Sequence, residues 1–246
     1  MSGPLLSVRN LTKRFGGVIA INDLTFDVKE NEILGLIGPN GAGKTTLFHL
    51  ISGFEEPDSG IIKFKEKVIN GLGPHEIVKL GISRTFQIPQ PFLNLTVFQN
   101  LLVAAMYGAG LRKEKACEEA KRILDVIELT DKGDWLARDL TMSDLRRLEL
   151  ARALCNKPCL LLVDEVAAGL SYDEIPKLLN VLRKVHDMGV TIIVVEHVLS
   201  VIMKIANRVI VLHEGKKLAE GKPEEIAHNE KVMEAYFGTR FVKYSA

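Results

Sequence analysis

Blocks of apolar residues of strand length alternate along the chain with stretches whose apolar positions recur every three or four residues. Ile33–Ile37, Cys159–Val163 and Val190–Val195 are nearly uninterrupted runs, the pattern of strands buried on both faces. Leu24, Phe26 and Val28 alternate with polar neighbours, so Leu24–Val28 reads as a half-buried strand, and Leu5–Val8 as another. Ile61–Phe64, after the turn Glu56-Pro57-Asp58-Ser59-Gly60, and Ile82–Phe86 add two more. Thr46–Ile51 opens a helix, and His75–Leu80 forms a short one after the loop Asn70–Pro74. From Thr96 to about Asn156 the period becomes helical. Ala116, Ala120, Ile123, Leu124 and Ile127 share a face, Gly108-Ala109-Gly110 interrupts, and Ser143–Leu154 makes a further helix with Ser143 as its N-cap. Its Arg146, Arg147 and Arg152 are expected on a solvated face. Ser171–Glu174 resembles a capping box ahead of the stripe Ile175, Leu178, Leu179, Leu182 and Val185, which Gly189 ends. Arg208–Leu212 and Lys216–Ala219 form a hairpin, and a tail helix puts Val232, Met233, Tyr236 and Phe237 on one packing stripe. The sum is an α/β fold with an antiparallel β region near the N-terminus and a helical lobe between early and late strands.

The chemistry gathers first at Gly38-Pro39-Asn40-Gly41-Ala42-Gly43-Lys44-Thr45-Thr46. Two glycines separated by four residues, then Lys and Thr, between a buried strand and a helix, make a phosphate loop. Such glycines let successive backbone N–H groups turn inward onto phosphate oxygens, and the helix start adds partial positive charge. Lys44 would reach the β- and γ-phosphates, and the Thr45 hydroxyl would complete a Mg²⁺ shell. Asp164-Glu165 ends the second apolar run. An Asp at a strand end is a weak signal alone. With a phosphate loop, Asp164 becomes a candidate Mg²⁺ holder through water, and Glu165 a candidate base for the attacking water. Gln87, just before Pro89 and Pro91, is either a surface amide or a neutral ligand for Mg²⁺ or water at a mobile junction. Phe15, beside Gly16-Gly17, either caps a hairpin or offers a flat ring to adenine. His197, after the third run, is either structural or a contact for the γ-phosphate.

Composition narrows this further. Among 246 residues, Lys plus Arg number 32 and Asp plus Glu 31, a net charge of +1. A broad nucleic-acid surface would need a clear basic excess. The longest apolar runs fall far short of the roughly 20 residues that cross a bilayer, and Met1-Ser2-Gly3-Pro4 has no signal-peptide pattern, so a membrane role is expected through a partner. Cys117, Cys155 and Cys159 lack metal-type spacing and read as free or buried thiols of a reducing compartment.

The phosphate loop, Gln87 at a strand-to-lobe junction, the helical lobe, Asp164-Glu165 and His197 resemble, in that order and over essentially the whole chain, the ATPase subunit of ABC transporters. The resemblance implies a P-loop ABC-type nucleotide-binding domain spanning 1–246, with the lobe, about 88–158, inserted in a mixed-sheet core of 1–87 and 159–246. It implies ATP and Mg²⁺ as cofactors, adenine stacking by Phe15, a mobile Q-loop at Gln87, a switch role for His197 and cross-dimer contact by Ala168–Ser171. The family's signature Leu-Ser-Gly-Gly-Gln falls on Leu140-Thr141-Met142-Ser143-Asp144, so both glycines and the Gln are replaced, and Asp144 would face a phosphate with like charge. A left-handed backbone at Ser143 would cost about 1–2 kcal/mol. Val166 stands where Pro is usual. A working but slower site is implied.

Arg84-Thr85-Phe86-Gln87, Glu165–Leu170 and Lys231–Gly238 look most like the LivG-type ATPase of branched-chain amino acid importers. The implied partners are integral-membrane permease subunits, a second ATPase subunit (the same or a related chain) and, indirectly, a periplasmic or extracellular binding protein. The implied place is peripheral, on the cytoplasmic face of the membrane. Related alternatives are urea-type and lipopolysaccharide-type ATPases. A nucleotide-gated interaction protein with weak hydrolysis is motivated by the altered signature. An ABC ATPase of translation or DNA repair would need a second cassette or a long coiled coil, and a phosphotransferase would leave the signature idle.

Overall fold

The computed structural model describes residues 3–196 and 199–237. The chain divides into two compact units, residues 1–74 with 193–246, and residues 75–192.

In the first unit, β1 (Leu6–Phe15) lies antiparallel between β2 (Val18–Val28) and β4 (Ser59–Phe64), and β5 (Lys67–Val68) pairs with β4. β1 and β2 are about twice as long as alternation alone predicts. Asn10 and Asp23 sit at φ 47° and 54°, and the register slips between Val8 and Leu11. A bulge shifts the in–out phase, so period-two reading stops there although pairing continues. The bulge is stitched by Asn10 Nδ2 donating to Asp23 Oδ1 at 2.8 Å and Asn10 N–H to Thr25 Oγ1 at 2.8 Å.

A second, mixed sheet in this unit places β9 (Arg208–His213) parallel to β3 (Ile33–Ile37) and antiparallel to β10 (Lys216–Gly221). Every residue of β3 is buried. Its start is fixed to β9 by a reciprocal pair, Ile33 N–H to Asn207 Oδ1 at 2.7 Å and Asn207 N–H to the Ile33 carbonyl at 2.8 Å. Helix α1 (Lys44–Ile51) buries Leu47, Phe48, Leu50 and Ile51, the face its apolar spacing provides.

In the second unit, α2 (Pro74–Leu80) leads into β6 (Ile82–Arg84), which runs parallel to β7 (Leu160–Asp164). β6 stops two residues earlier than its apolar pattern suggests, although Thr85 N–H still bonds the Leu162 carbonyl at 2.9 Å. Then come α3 (Val97–Val103), running on as a π-helical turn to Gly108, α4 (Lys113–Val126), α5 (Met142–Leu154) and α6 (Ile175–Asp187). Leu101, Ile123, Leu148, Leu160–Val163, Leu182 and Val185 form this unit's core. β8 (Thr191–Val195) starts here, with Thr191 N–H on the Cys159 carbonyl at 3.0 Å, and ends in the first unit. Next in the chain are α7 (Leu199–Ile205) before β9, and α8 (Pro223–Ala227) and α9 (Glu230–Phe237) after β10.

Cys117, Cys155 and Cys159 form no disulfide. Burial, reinforced by Glu119, pushes the Cys155 thiol up to about 12, so it stays protonated and inert. Among the described residues no helix is long and apolar enough to cross a membrane.

Candidate functional site

The first unit presents the phosphate loop on the end of β3. Lys44 is buried, and its ammonium donates to the carbonyls of Gly38 at 2.7 Å and Pro39 at 3.0 Å. A buried ammonium facing neutral carbonyls is matched to an incoming anion, so the cradle fits a phosphate. Glycine is demanded at two places. A Cβ on Gly38 would lie 2.2 Å from the Leu212 carbonyl oxygen. Gly43, N-cap of α1 at φ 103°, would place its Cβ 2.4 Å from the Ala20 carbonyl oxygen. The loop is also fastened by Gly215 N–H, in the β9–β10 turn, donating to the Ala42 carbonyl at 3.1 Å. Thr45 is exposed and Thr46 half-buried in the first turn of α1, while Asn40 and Gly41 lie open at the loop tip. Phe15 closes the β1–β2 hairpin and is 45% exposed, with the Lys13 ammonium 5.1 Å above its ring. An exposed, flat ring at a hairpin tip satisfies both readings of Phe15.

The second unit assembles the carboxylates. Asp164 Oδ2 accepts from Arg84 at 2.8 Å, and the Asp164 N–H donates to Thr85 Oγ1 at 3.1 Å. Glu165, one residue past β7, sits at φ 47°, and its Oε2 accepts from Gln87 Nε2 at 2.6 Å. So Gln87, three residues beyond β6, meets the candidate base directly. Arg146 bridges this group from α5, donating to the Gln87 carbonyl and to the Ala168 carbonyl at 3.4 Å. Within this unit the Asp164 carboxylate and the Gln87 amide offer hard oxygen donors of the kind Mg²⁺ takes, and in the first unit the Thr45 hydroxyl offers another. His197 lies outside the described residues.

Two expectations about the signature change. The N-cap of α5 is Thr141, not Ser143: the Thr141 hydroxyl accepts from Asp144 N–H at 3.2 Å, and Ser143 is already helical, with no left-handed strain. Thr is itself a favoured N-cap residue, so the cap lies two residues earlier than expected. Asp144 is 2% exposed, and its carboxylate is ion-paired to Lys132 at 2.7 Å and to Arg147. The charge that would repel a phosphate is neutralised by two cations of its own chain. Thr141 and Met142 are the exposed residues of this turn. Beyond this turn, the Ser171 N–H and hydroxyl donate to Glu174 Oε2 at 2.8 and 2.9 Å and hold its carboxyl below the usual range. The arginines of α5 are likewise not a solvated face: Arg147 reaches the Ile127 and Glu128 carbonyls, and Arg152 the Gln90 carbonyl at 2.7 Å.

The Asp144 pairing yields a pH prediction. Burial alone would raise this carboxyl, but hydrogen bonds from Lys132, Thr141 and Arg147 outweigh it and hold it below the usual value. A lowered carboxyl stabilises the fold above its unfolded pKa, about 4, and loses that contribution as pH falls through the folded value. Asp144→Asn should therefore cost about 1–3 kcal/mol near neutrality. In thermal melts from pH 7 to pH 3, the gap to wild type should narrow below about pH 4. A pH-independent gap would mean the ion pairs contribute nothing.

Arg84, Lys132 and Arg146 carry no site role in the sequence reading. Each acts on a residue 12 to 80 positions away, and no local pattern marks such partners. Exposed apolar side chains also gather around the Gln87 segment and its neighbourhood: Phe86, Ile88, Phe92, Leu93 and Trp135. The backbone ties these stretches together, with Val97 N–H on the Trp135 carbonyl at 2.9 Å and Arg138 N–H on that of Leu93 at 3.3 Å.

Known proteins resemble this chain over nearly its whole length. Residues 21–168 match the family model described as ABC transporter, and residues 216–242 match the one described as branched-chain amino acid ATP-binding cassette transporter. The chain is 40% identical to the high-affinity branched-chain amino acid transport ATP-binding protein LivG of Salmonella typhimurium, over 97% of this chain and 99% of that one. It is 38% identical to BraF of Pseudomonas aeruginosa over the same shares, and 38% to a probable LivG of Archaeoglobus fulgidus over 96% of each chain. Among solved structures, MJ1267, an ATP-binding cassette of an ABC transporter, superposes with a TM-score of 0.89 at 29% identity, covering 96% of this chain and all of that one. The ADP conformation of MJ1267 superposes with a TM-score of 0.87, covering 96% of this chain and 99% of that one.

Proposed function

The chain belongs to the ATP-binding cassette family of ABC transporters, and from that membership we propose that it powers the uptake of branched-chain amino acids through a membrane permease. The observation that carries the solute class is identity of 38–40% over nearly the full length to LivG and BraF, together with the branched-chain element at 216–242. The enzyme activity is hydrolysis of ATP to ADP and phosphate, coupled to transport.

In the proposed mechanism, Gly38–Thr46 receives the phosphates, with Lys44 neutralising charge on the β- and γ-groups. Phe15 stacks on the adenine. Thr45, Asp164 and Gln87 would hold Mg²⁺, which would supply screening of the phosphate charge. Glu165 accepts a proton from the attacking water, and His197 contacts the γ-phosphate. Hydrolysis waits for a second ATPase subunit, the same or a related chain, whose Thr141–Asp144 turn supplies donors from the other side. The neutralised Asp144 supports a turn that tolerates phosphate, and so favours the hydrolytic reading over a gated scaffold.

The exposed apolar residues near Gln87 fit the docking of a permease segment, since such clusters mark interaction sites. This supports a proposed place on the cytoplasmic face of the membrane, with an external binding protein acting only through the permease. The test is a pull-down of tagged Glu165→Gln chain with ATP from native membranes in mild detergent. Two polytopic proteins and a second short ATPase are expected. Recovery of soluble partners alone would count against transport.

A further inference from the structure

The phosphate loop and the β9–β10 turn both pack against the carbonyl of Ala20 in β2. A Cβ on Gly43 would lie 2.4 Å from the Ala20 oxygen, and a Cβ on Gly215 would lie 2.8 Å from the same oxygen and 3.1 Å from the Ile21 Cα. Gly215 spends both of its backbone groups across this junction. Its N–H donates to the Ala42 carbonyl of the loop at 3.1 Å, and its carbonyl accepts from the Asn22 N–H of β2 at 2.9 Å. The turn that presents it is tight. His213 pairs with Lys216, and between them Glu214 and Gly215 stand at φ 47° and 75°, the positive angles of a two-residue hairpin turn. Ile21 and Ala42, on either side of the junction, are buried. β2 also holds Phe15 in place, since Phe15 pairs with Val18, two positions before Ala20.

We propose that Gly215 is a positioning residue that fixes the spacing between the phosphate loop and the β1–β2 hairpin, and so makes the site selective for an adenine nucleotide over a bare polyphosphate. The proposal rests on the ATPase reading, which gives the phosphates to the loop and the adenine to Phe15. A ligand that engages both elements gains the sum of the two contacts only when they are held at the separation the ligand spans. A polyphosphate uses the loop alone and is indifferent to that separation. Two hydrogen bonds from one peptide unit and its neighbour set the register: one fastens the turn to the loop, the other fastens it to the strand that carries the hairpin. No other residue type fits at position 215, because a side chain would be strained at φ 75° and would strike Ala20.

The test compares Mg²⁺-ATP with Mg²⁺-tripolyphosphate, each titrated by calorimetry into the full chain. Gly215→Ala forces a Cβ against Ala20 and disturbs both hydrogen bonds. Asn22→Pro removes the N–H that donates to the Gly215 carbonyl, on the outer edge of β2, where proline is tolerated. Wild type should bind ATP more tightly than tripolyphosphate. In both variants that preference should shrink about three- to tenfold, the worth of one hydrogen bond. Lys44→Ala, which acts on the phosphates, should weaken both ligands and keep their ratio. A purely structural role for Gly215 would lower the melting temperature and weaken both ligands alike. An undiminished preference in Gly215→Ala, or in Asn22→Pro if Gly215→Ala does not fold, overturns the proposal by itself. A wild-type chain that binds ATP no more tightly than tripolyphosphate overturns it together with the adenine half of the ATPase reading.

Discussion

Replacing Glu165 by Gln should cut ATP turnover by about 10²- to 10⁴-fold, the usual contribution of a positioned general base, while ATP binding survives. The substitution keeps a carbonyl acceptor for Gln87 Nε2, now 2.6 Å from Oε2, so the local arrangement should persist. What disappears is a group able to take the proton of water. With hydrolysis blocked and ATP still bound, the closed dimer should accumulate, and the variant should elute from a sizing column at twice the mass of the monomer in the presence of ATP. Single-turnover assays separate this from a binding defect. Near-normal hydrolysis in Glu165→Gln would remove Glu165 as the base, and the neighbouring carboxylate of Asp164 would have to be reconsidered.

Lys44→Ala should act on the other half of the cycle. The ammonium is the loop's one side-chain cation, buried and already aimed into the cradle through Gly38 and Pro39. A charge-assisted hydrogen bond to phosphate is worth about 1.5–3 kcal/mol, so ATP affinity should fall by about 10²-fold. The carbonyls of Gly38 and Pro39 also lose their donor, which loosens the loop before nucleotide arrives. Calorimetry at fixed Mg²⁺ would show it, and undiminished affinity would sink the assignment of this loop as the phosphate site.

The parts of the site visible in sequence are those built from neighbours. Gly38–Thr46 declares itself because strand, glycine turn and helix are contiguous, and their shape depends on which residues lack a Cβ. Asp164-Glu165 is visible because four fully apolar residues precede it. The partners of these groups are not visible. Arg84 meets Asp164 across 80 residues and Gln87 meets Glu165 across 78, pairings produced by β6 lying beside β7. Asp144 reads as a lone anion in a phosphate-facing turn until α5 is packed beside Lys132. The N-terminal strands failed differently: residues near Asn10 and Asp23 slip the register, and a rule based on strict alternation cannot follow a strand through a bulge.

Gly43 and Glu165 stand in opposite positions with respect to mutational drift. Gly43 is closed by its own geometry, since any side chain would strike the Ala20 carbonyl and the backbone would be strained as well. Glu165 is a non-glycine residue held at φ 47°, where a Gly or Asn would relieve strain of about 1–2 kcal/mol. A lineage that ceased to hydrolyse ATP would keep its glycines long after, because the fold itself requires them. It would lose this glutamate early, because only use retains it. A descendant with the loop intact and Gly or Asn at this position would therefore record, in two residues, that the motor had stopped while the fold went on.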